Sequence, residues 1–200
     1  MGEVLFEPTT HTYSVNGVVI PESVTQICER VYGGEIDDRL DDVMDAAADR
    51  GVTMHKVLEL ALSGEDYDGE YPSMYVEYVD AIEQWLGAHT IVPLAIEEPI
   101  YSPTLVVAGT PDLICMFDDV LTLVDYKFVS TINKPKVRAQ LTGYCEILNE
   151  CGVFPEQMIA VQFLAGKVRP YPVDFGGDEW EVALRARDIR NRKYARGRIG

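Results

Sequence analysis

"LVDYKFVSTINKPKVRAQLTGY", residues 123–144, runs from an apolar strand into a helix. Its first six residues carry Leu123, Val124, Tyr126 and Phe128 close by, the composition of a strand buried on both faces. Asp125 and Lys127 stand inside that run, two residues apart and therefore on one face. Charges placed in a core must be neutralised there. Residues 135–150 then read as a helix closed by Cys151-Gly152, with Val137, Leu141, Cys145 and Leu148 as its buried stripe. Gln140 and Tyr144 flank the stripe one turn apart, within reach of the same sheet face.

Upstream, TPDLICMF (110–117) and VLTLVDYKF (120–128) meet at Asp118-Asp119, residues that tolerate the positive φ of a tight turn. An even-length loop centred there sets Phe117 opposite Val120, Met116 opposite Leu121 and Asp112 opposite Asp125. Directly opposed side chains have Cβ atoms about 4.5–5.5 Å apart and point the same way. Two carboxylates and one amine thus share a face of a hairpin that is apolar on both sides. Opposed like charges destabilise a sheet unless neutralised. Lys127 by itself would make a structural ion triad. A hard divalent cation would neutralise both acids and leave the lysine free. A metal on Asp112 and Asp125 suits phosphodiester hydrolysis, because it polarises the phosphate and lowers the pKa of bound water. The lysine then offsets developing charge or orients the nucleophile.

The remaining chain supplies a frame. HTYSVNGVVI (11–20) alternates around Asn16-Gly17, a hairpin signal. Ser23 caps a helix to about Tyr32. Residues 37–63 read as helix, interrupted or bent near Arg50-Gly51, and 72–88 as another. Strands fill 91–128, 157–164 and 167–173, and a helix spans 178–196. The expectation is an α/β fold, a central mixed sheet flanked by helices, with an N-terminal β-hairpin and helical region. The 200 residues read as a single domain. The four cysteines (Cys28, Cys115, Cys145 and Cys151) form no C-x-x-C pair and read as buried reduced thiols of a cytosolic protein. No run approaches a membrane span, and the opening residues lack the pattern of a secretion signal.

The formal net charge is −16, from 33 acidic and 17 basic residues. Acids gather in 35–49 and 65–70, whereas 185–198 (RARDIRNRKYARGR) holds seven bases and one acid. A bulk charge of this sign disfavours nucleic acid at long range. The basic stretch therefore reads either as a polyanion contact or as a tail folded against its own acidic body.

Gly109-Thr110-Pro111-Asp112 followed by Asp125-Tyr126-Lys127 resembles the PD-(D/E)xK nuclease superfamily, here with Asp as the second acid. Gln140 and Tyr144 match the QxxxY motif of its RecB-type branch. Arg50-Gly51 and His55 with Glu59 look like that branch's first motif, and HTYSVNGVVIPESVTQI looks like the opening of phage-encoded members. The resemblance implies a restriction-endonuclease-like core. Residues 1–34 would be hairpin and helix, 35–90 the helical region with the first motif, 91–175 the catalytic core and 176–200 a basic C-terminal helix.

It also implies roles. Asp112, Asp125, the Tyr126 carbonyl and His55 would hold Mg²⁺ or Mn²⁺, the imidazole favouring Mn²⁺. Lys127 would be the catalytic lysine, and Gln140 would orient it, the water or the scissile strand. Tyr144 would line the DNA path. Lys134, Lys136 and Arg138 are candidates for phosphate contacts, though solvated charges would look the same. Glu98 is an outside candidate for a further acid, Glu59 a partner of His55 or a surface acid. Some relatives carry an iron–sulfur cluster on four cysteines; Cys145 and Cys151 stand apart here, so no cluster is expected. The implied activity is a metal-dependent DNA exonuclease of phage recombination or DNA processing, in bacterial or infected-host cytoplasm. The implied partners are DNA and a single-strand annealing or recombination protein. Ring-shaped trimers occur in the branch, so a homo-oligomer is a further implication. The competing reading is a non-catalytic nuclease-fold binding module, an acidic DNA mimic that occupies a partner protein.

Overall fold

The computed structural model describes residues 3–34 and 41–197. Three short strands come first: β1 (Val4–Glu7), β2 (Thr12–Val15) and β3 (Val18–Ile20), in the order β1-β2-β3. Asn16 (φ 50°) and Gly17 (φ 79°) form the turn between β2 and β3, both in the left-handed region that this two-residue hairpin needs. Helix α1 (Val24–Tyr32) starts at Ser23, whose side chain accepts from the Gln26 N–H while Gln26 reaches back to the Ser23 N–H. Helix α2 (Asp41–Ser63) runs without a break through Gly51, correcting the expected interruption there. The expected start of that helix at 37–40 lies outside the described residues. After a 3-10 turn at Ser73–Tyr75 comes α3 (Val76–Ala88).

Next come β4 (Ile91–Ile96), β5 (Ile100–Ser102), β6 (Val107–Gly109), β7 (Leu113–Phe117) and β8 (Val120–Lys127). They are followed by α4 (Lys134–Glu150), β9 (Gln157–Leu164), β10 (Lys167–Val173) and α5 (Glu179–Gly197). The main sheet has the order β10-β9-β8-β7-β4; β8 and β9 run parallel and the other pairs antiparallel. The sheet is mixed because α4 carries the chain back between β8 and β9. Asp118 (φ 47°) and Asp119 (φ 69°) make the β7–β8 turn, and Phe117 opposes Val120 as the register argument requires.

Alternation along the strands divides the core into two layers. Ile114, Leu123, Met158 and Ala160 face α1, α4 and α5, joining Ile27, Leu141, Ile147 and Trp180. Leu113, Val124, Tyr126 and Phe163 face α2 and α3, joining Met54, Leu58, Ile82 and Trp85. Edge strand β4 tolerates Pro93, where its register with β7 shifts. Among the described residues no helix is long and apolar enough to cross a membrane.

One local departure shapes the site. The expected strand over 110–117 begins only at Leu113, and Val107–Gly109 pairs instead with β5 in a separate two-stranded sheet. Pro111 has no N–H for the ladder, so pairing with β8 stops at Leu113↔Val124. Asp112 sits just past the last pair, with its carboxylate free to turn.

Candidate metal centre and lysine network

Asp112 turns that carboxylate into the vacated place in the ladder. Its Oδ2 accepts the Tyr126 N–H at 2.6 Å. The N–H and C=O of one strand residue point to the same side. The Tyr126 carbonyl therefore looks past the end of β7, toward Asp112, while its side chain is buried in the α2–α3 layer. Asp125, 1% exposed, and Lys127 project from the opposite face, under α4. Lys127 Nζ donates to Asp125 Oδ1 at 2.8 Å and to Gln140 Oε1 at 3.2 Å. The other oxygen, Asp125 Oδ2, is buried with no hydrogen-bond partner. An orphaned carboxylate oxygen in a core costs free energy, which a bound water or cation would offset.

His55 arrives from the other layer. Met54, Val57 and Leu58 bury the neighbouring turns of α2, and Arg50 donates to the Phe128 carbonyl through Nε (3.3 Å) and Nη2 (2.9 Å). Those contacts fix α2 against the end of β8. His55 Nδ1 then lies 3.2 Å from Glu97 Oε1 and 3.8 Å from Asp112 Oδ1. Glu97 follows the last residue of β4 in a left-handed conformation (φ 49°), and its N–H donates to the Asp112 carbonyl at 3.1 Å. Such a conformation is costly for a residue with a side chain and persists where surrounding contacts demand it. Ligand atoms of His55, Glu97 and Asp112 all lie within 4.8 Å of one another.

Burial and an excess of acids over the amine together leave Asp112, Asp125, Lys127 and His55 each holding its proton more tightly. Burial, followed by the nearby carboxylate of Asp112, pushes Asp125 up to about 6 against the opposing pull of Lys127. Burial also raises Asp112, against His55 and Lys127. Burial lowers Lys127, but Asp125 and Asp112 more than reverse this and leave it raised. In the same way burial opposes the charge on His55, while Asp112 and Glu97 lift it to about 9. A divalent cation among these oxygens would relieve the excess negative charge. Three carboxylates, a backbone carbonyl and one imidazole suit Mg²⁺ or Mn²⁺.

Gln140 is fixed from both ends, since its Nε2 donates to Tyr144 Oη at 3.2 Å. Tyr144 corrects an expectation. It is 2% exposed and does not line the cleft into which Lys127 and Gln140 open. Gly109 explains this, because a Cβ there would lie 2.5 Å from Tyr144 Cε1; the bare backbone lets the ring sink against it. The cleft, about 380 Å³, lies between α1, α4 and the segment after β8, with Thr25, Tyr32, Thr131, Asn133 and Lys136 on its walls.

The three bases considered for phosphate contacts all have protein neighbours. Lys136 pairs with Glu29, Arg138 Nε lies 2.7 Å from Glu179 Oε1, and Lys134 Nζ sits 5.7 Å from the centre of the Tyr171 ring. Glu59 pairs with Lys56 at 3.0 Å, away from His55. Glu98 is exposed, and its neighbour Glu97 takes the place in the cluster. Sequence reasoning missed Glu97. The available signal was its alignment opposite Asp112 one step beyond the Ile96↔Leu113 pair, which the irregular register of β4 obscured. The basic C-terminal stretch packs partly on its own body: Arg190 pairs with buried Glu22, and Arg187 Nη1 donates to the Leu105 carbonyl at 3.0 Å. No protein-family model matches the chain, and no curated protein matches it.

Proposed function

We propose that this chain is a metal-dependent nuclease of the PD-(D/E)xK type, hydrolysing phosphodiester bonds of DNA as an exonuclease. The observation that carries the proposal is the juxtaposition at the open end of β7. Asp112 and the unpartnered oxygen of Asp125 stand beside a lysine held between an acid and an amide. His55, Glu97, Asp112, Asp125 and the Tyr126 carbonyl would hold Mg²⁺ or Mn²⁺, which supplies Lewis acidity toward the phosphodiester and acidifies water. The protein's own part is placement. Asp125 and Gln140 occupy two of the three N–H donors of Lys127 and leave the third for the reacting phosphate or the attacking water. The cleft beside Lys127 and Gln140 is the route by which a strand would reach it.

End-labelled linear DNA, single- and double-stranded, tests this at low salt with Mn²⁺, Mg²⁺ or EDTA, beside Lys127→Ala. The expected result is metal-dependent loss of label from an end, abolished by the substitution. A folded protein that cleaves nothing under any of these metals would refute the proposal. It would favour the binding-module reading, to which the −16 net charge and the acid-paired Lys136 and Arg138 lend support.

A further inference from the structure

We propose that Thr25, on α1, is a positioning residue that sets the direction of a hydrogen-bond chain ending on Lys127. The Lys127 ammonium only donates. The Gln140 atom 3.2 Å from Lys127 Nζ must therefore be the carbonyl oxygen, which leaves the amide NH₂ facing Tyr144. An amide NH₂ offers no lone pair, so Tyr144 Oη accepts from it and must send its own hydrogen elsewhere. Tyr144 is buried, and among the described residues its hydroxyl has one further hydrogen-bond partner, Thr25 Oγ1 at 3.2 Å. Lys127, Gln140, Tyr144 and Thr25 thus donate in sequence, each to the next, and the last acceptor is the threonine hydroxyl.

The threonine and the tyrosine of this chain are anchored independently. The capping box of Ser23 and Gln26 holds the first turn of α1, and Ser23 bridges to Ala108 in β6. The backbone of Gly109 takes one side of the Tyr144 ring. Val24 and Trp180 pack over Gly143, where a Cβ would lie 3.0 Å and 3.1 Å from them. The tyrosine hydroxyl cannot swing to a new acceptor without moving these contacts. Without the Thr25 hydroxyl, its hydrogen finds an acceptor among the described residues only if Gln140 turns over. That turn presents the NH₂ of Gln140 to the ammonium and strips Lys127 of an acceptor. Thr25 itself is exposed, so the change at its position leaves the core intact.

The geometric half of this inference stands on its own; the kinetic consequence rests on the nuclease reading. The test compares Thr25→Val with Thr25→Ser. The first readout is the side-chain amide ¹⁵N–¹H pair of Gln140, assigned by its disappearance in Gln140→Glu, with its hydrogen-exchange protection. Valine should shift this pair and speed its exchange about tenfold, the loss of one buried hydrogen bond, while serine preserves both. The second readout is single-turnover and steady-state digestion of end-labelled DNA. Valine should lower kcat about tenfold with KM within a factor of about two, and serine should restore it. An unchanged Gln140 amide in Thr25→Val overturns the proposal. If the amide responds as stated but wild type and variants alike leave DNA intact, the chain stands and the nuclease reading falls.

Discussion

Asp125→Asn separates a metal site from a structural ion triad, and the structure gives the size and sign of the effect. In metal-free protein the Asp125 carboxylate is 1% exposed, with one oxygen on Lys127 and the other without a partner. Its pKa stands at about 6 against an ordinary 3.8, so ionised Asp125 costs the folded state about 3 kcal/mol at neutral pH and above. An acid whose folded pKa is raised destabilises above that pKa. The penalty fades as pH falls through about 6 and is gone below the unfolded value of 3.8. Asparagine removes the charge and keeps an oxygen for Lys127, whose weaker neutral partner returns part of the gain. The net expectation in EDTA at pH 8 is a stabilisation of about 1–2 kcal/mol, or roughly 2–8 °C in Tm for a chain of this size. That advantage should vanish near pH 4. With millimolar Mg²⁺ or Mn²⁺ the wild type should gain stability by ligand linkage, about 2.7 kcal/mol at a hundredfold excess over Kd, and the variant should not. Thermal melts over pH 4–8, with and without metal, measure all of this. A variant that melts lower than wild type in EDTA at pH 8 would show that the pair is structural. Equal metal-induced shifts in the two proteins would remove Asp125 from the ligand set.

Three further outcomes follow from the same geometry. Glu97→Gln should weaken metal-dependent stabilisation about tenfold in apparent affinity while leaving the metal-free fold in place, measured by calorimetric titration of Mn²⁺. His55, lifted from 6.5 to about 9 in metal-free protein, stabilises the fold below about pH 6.5 and loses that contribution as pH rises through 9. Metal binding at pH 7.5 should consequently release about one proton, read from titrations in buffers of different ionisation enthalpy, and His55→Gln should abolish the release. Gly109→Ala drives a methyl into Tyr144 and should cost about 1–3 kcal/mol in urea denaturation. Pairing it with Tyr144→Leu should recover part of that loss.

The register of the β7–β8 hairpin was legible because two aspartates at a turn and two alternating strands leave few ways to pair. The count then carries Asp112 to the level of Asp125, but the ladder ends at Leu113↔Val124 and Asp112 turns to the Tyr126 N–H instead of facing Asp125. The stripe of α4 was legible for the same kind of reason: helical spacing places Val137, Leu141 and Cys145 inward, and burial agrees. Glu97 was not legible, since its role depends on where a bulged edge strand ends. Nor were the fates of Lys134, Lys136 and Arg138. Charges on one helix turn carry no sign of whether an acid from α1 or α5, far off in sequence, stands opposite.

By itself, then, the sequence determined what is periodic and local: the turns, the helix caps, the alternation that makes two core layers, and the Asp125–Lys127 pair on one face. Tertiary structure alone decided three things. It brought His55 from α2 and Glu97 from the end of β4 around the open end of β7. It sank Tyr144 against Gly109 instead of leaving it at the rim. It tied Gln140, through that tyrosine, to a threonine on α1. The physical reason is one of range. Dihedral preference and side-chain periodicity act over a few residues. A ligand cluster or a hydrogen-bond chain is a meeting of side chains from distant elements, and only the packing of those elements sets which atoms come within 3 Å.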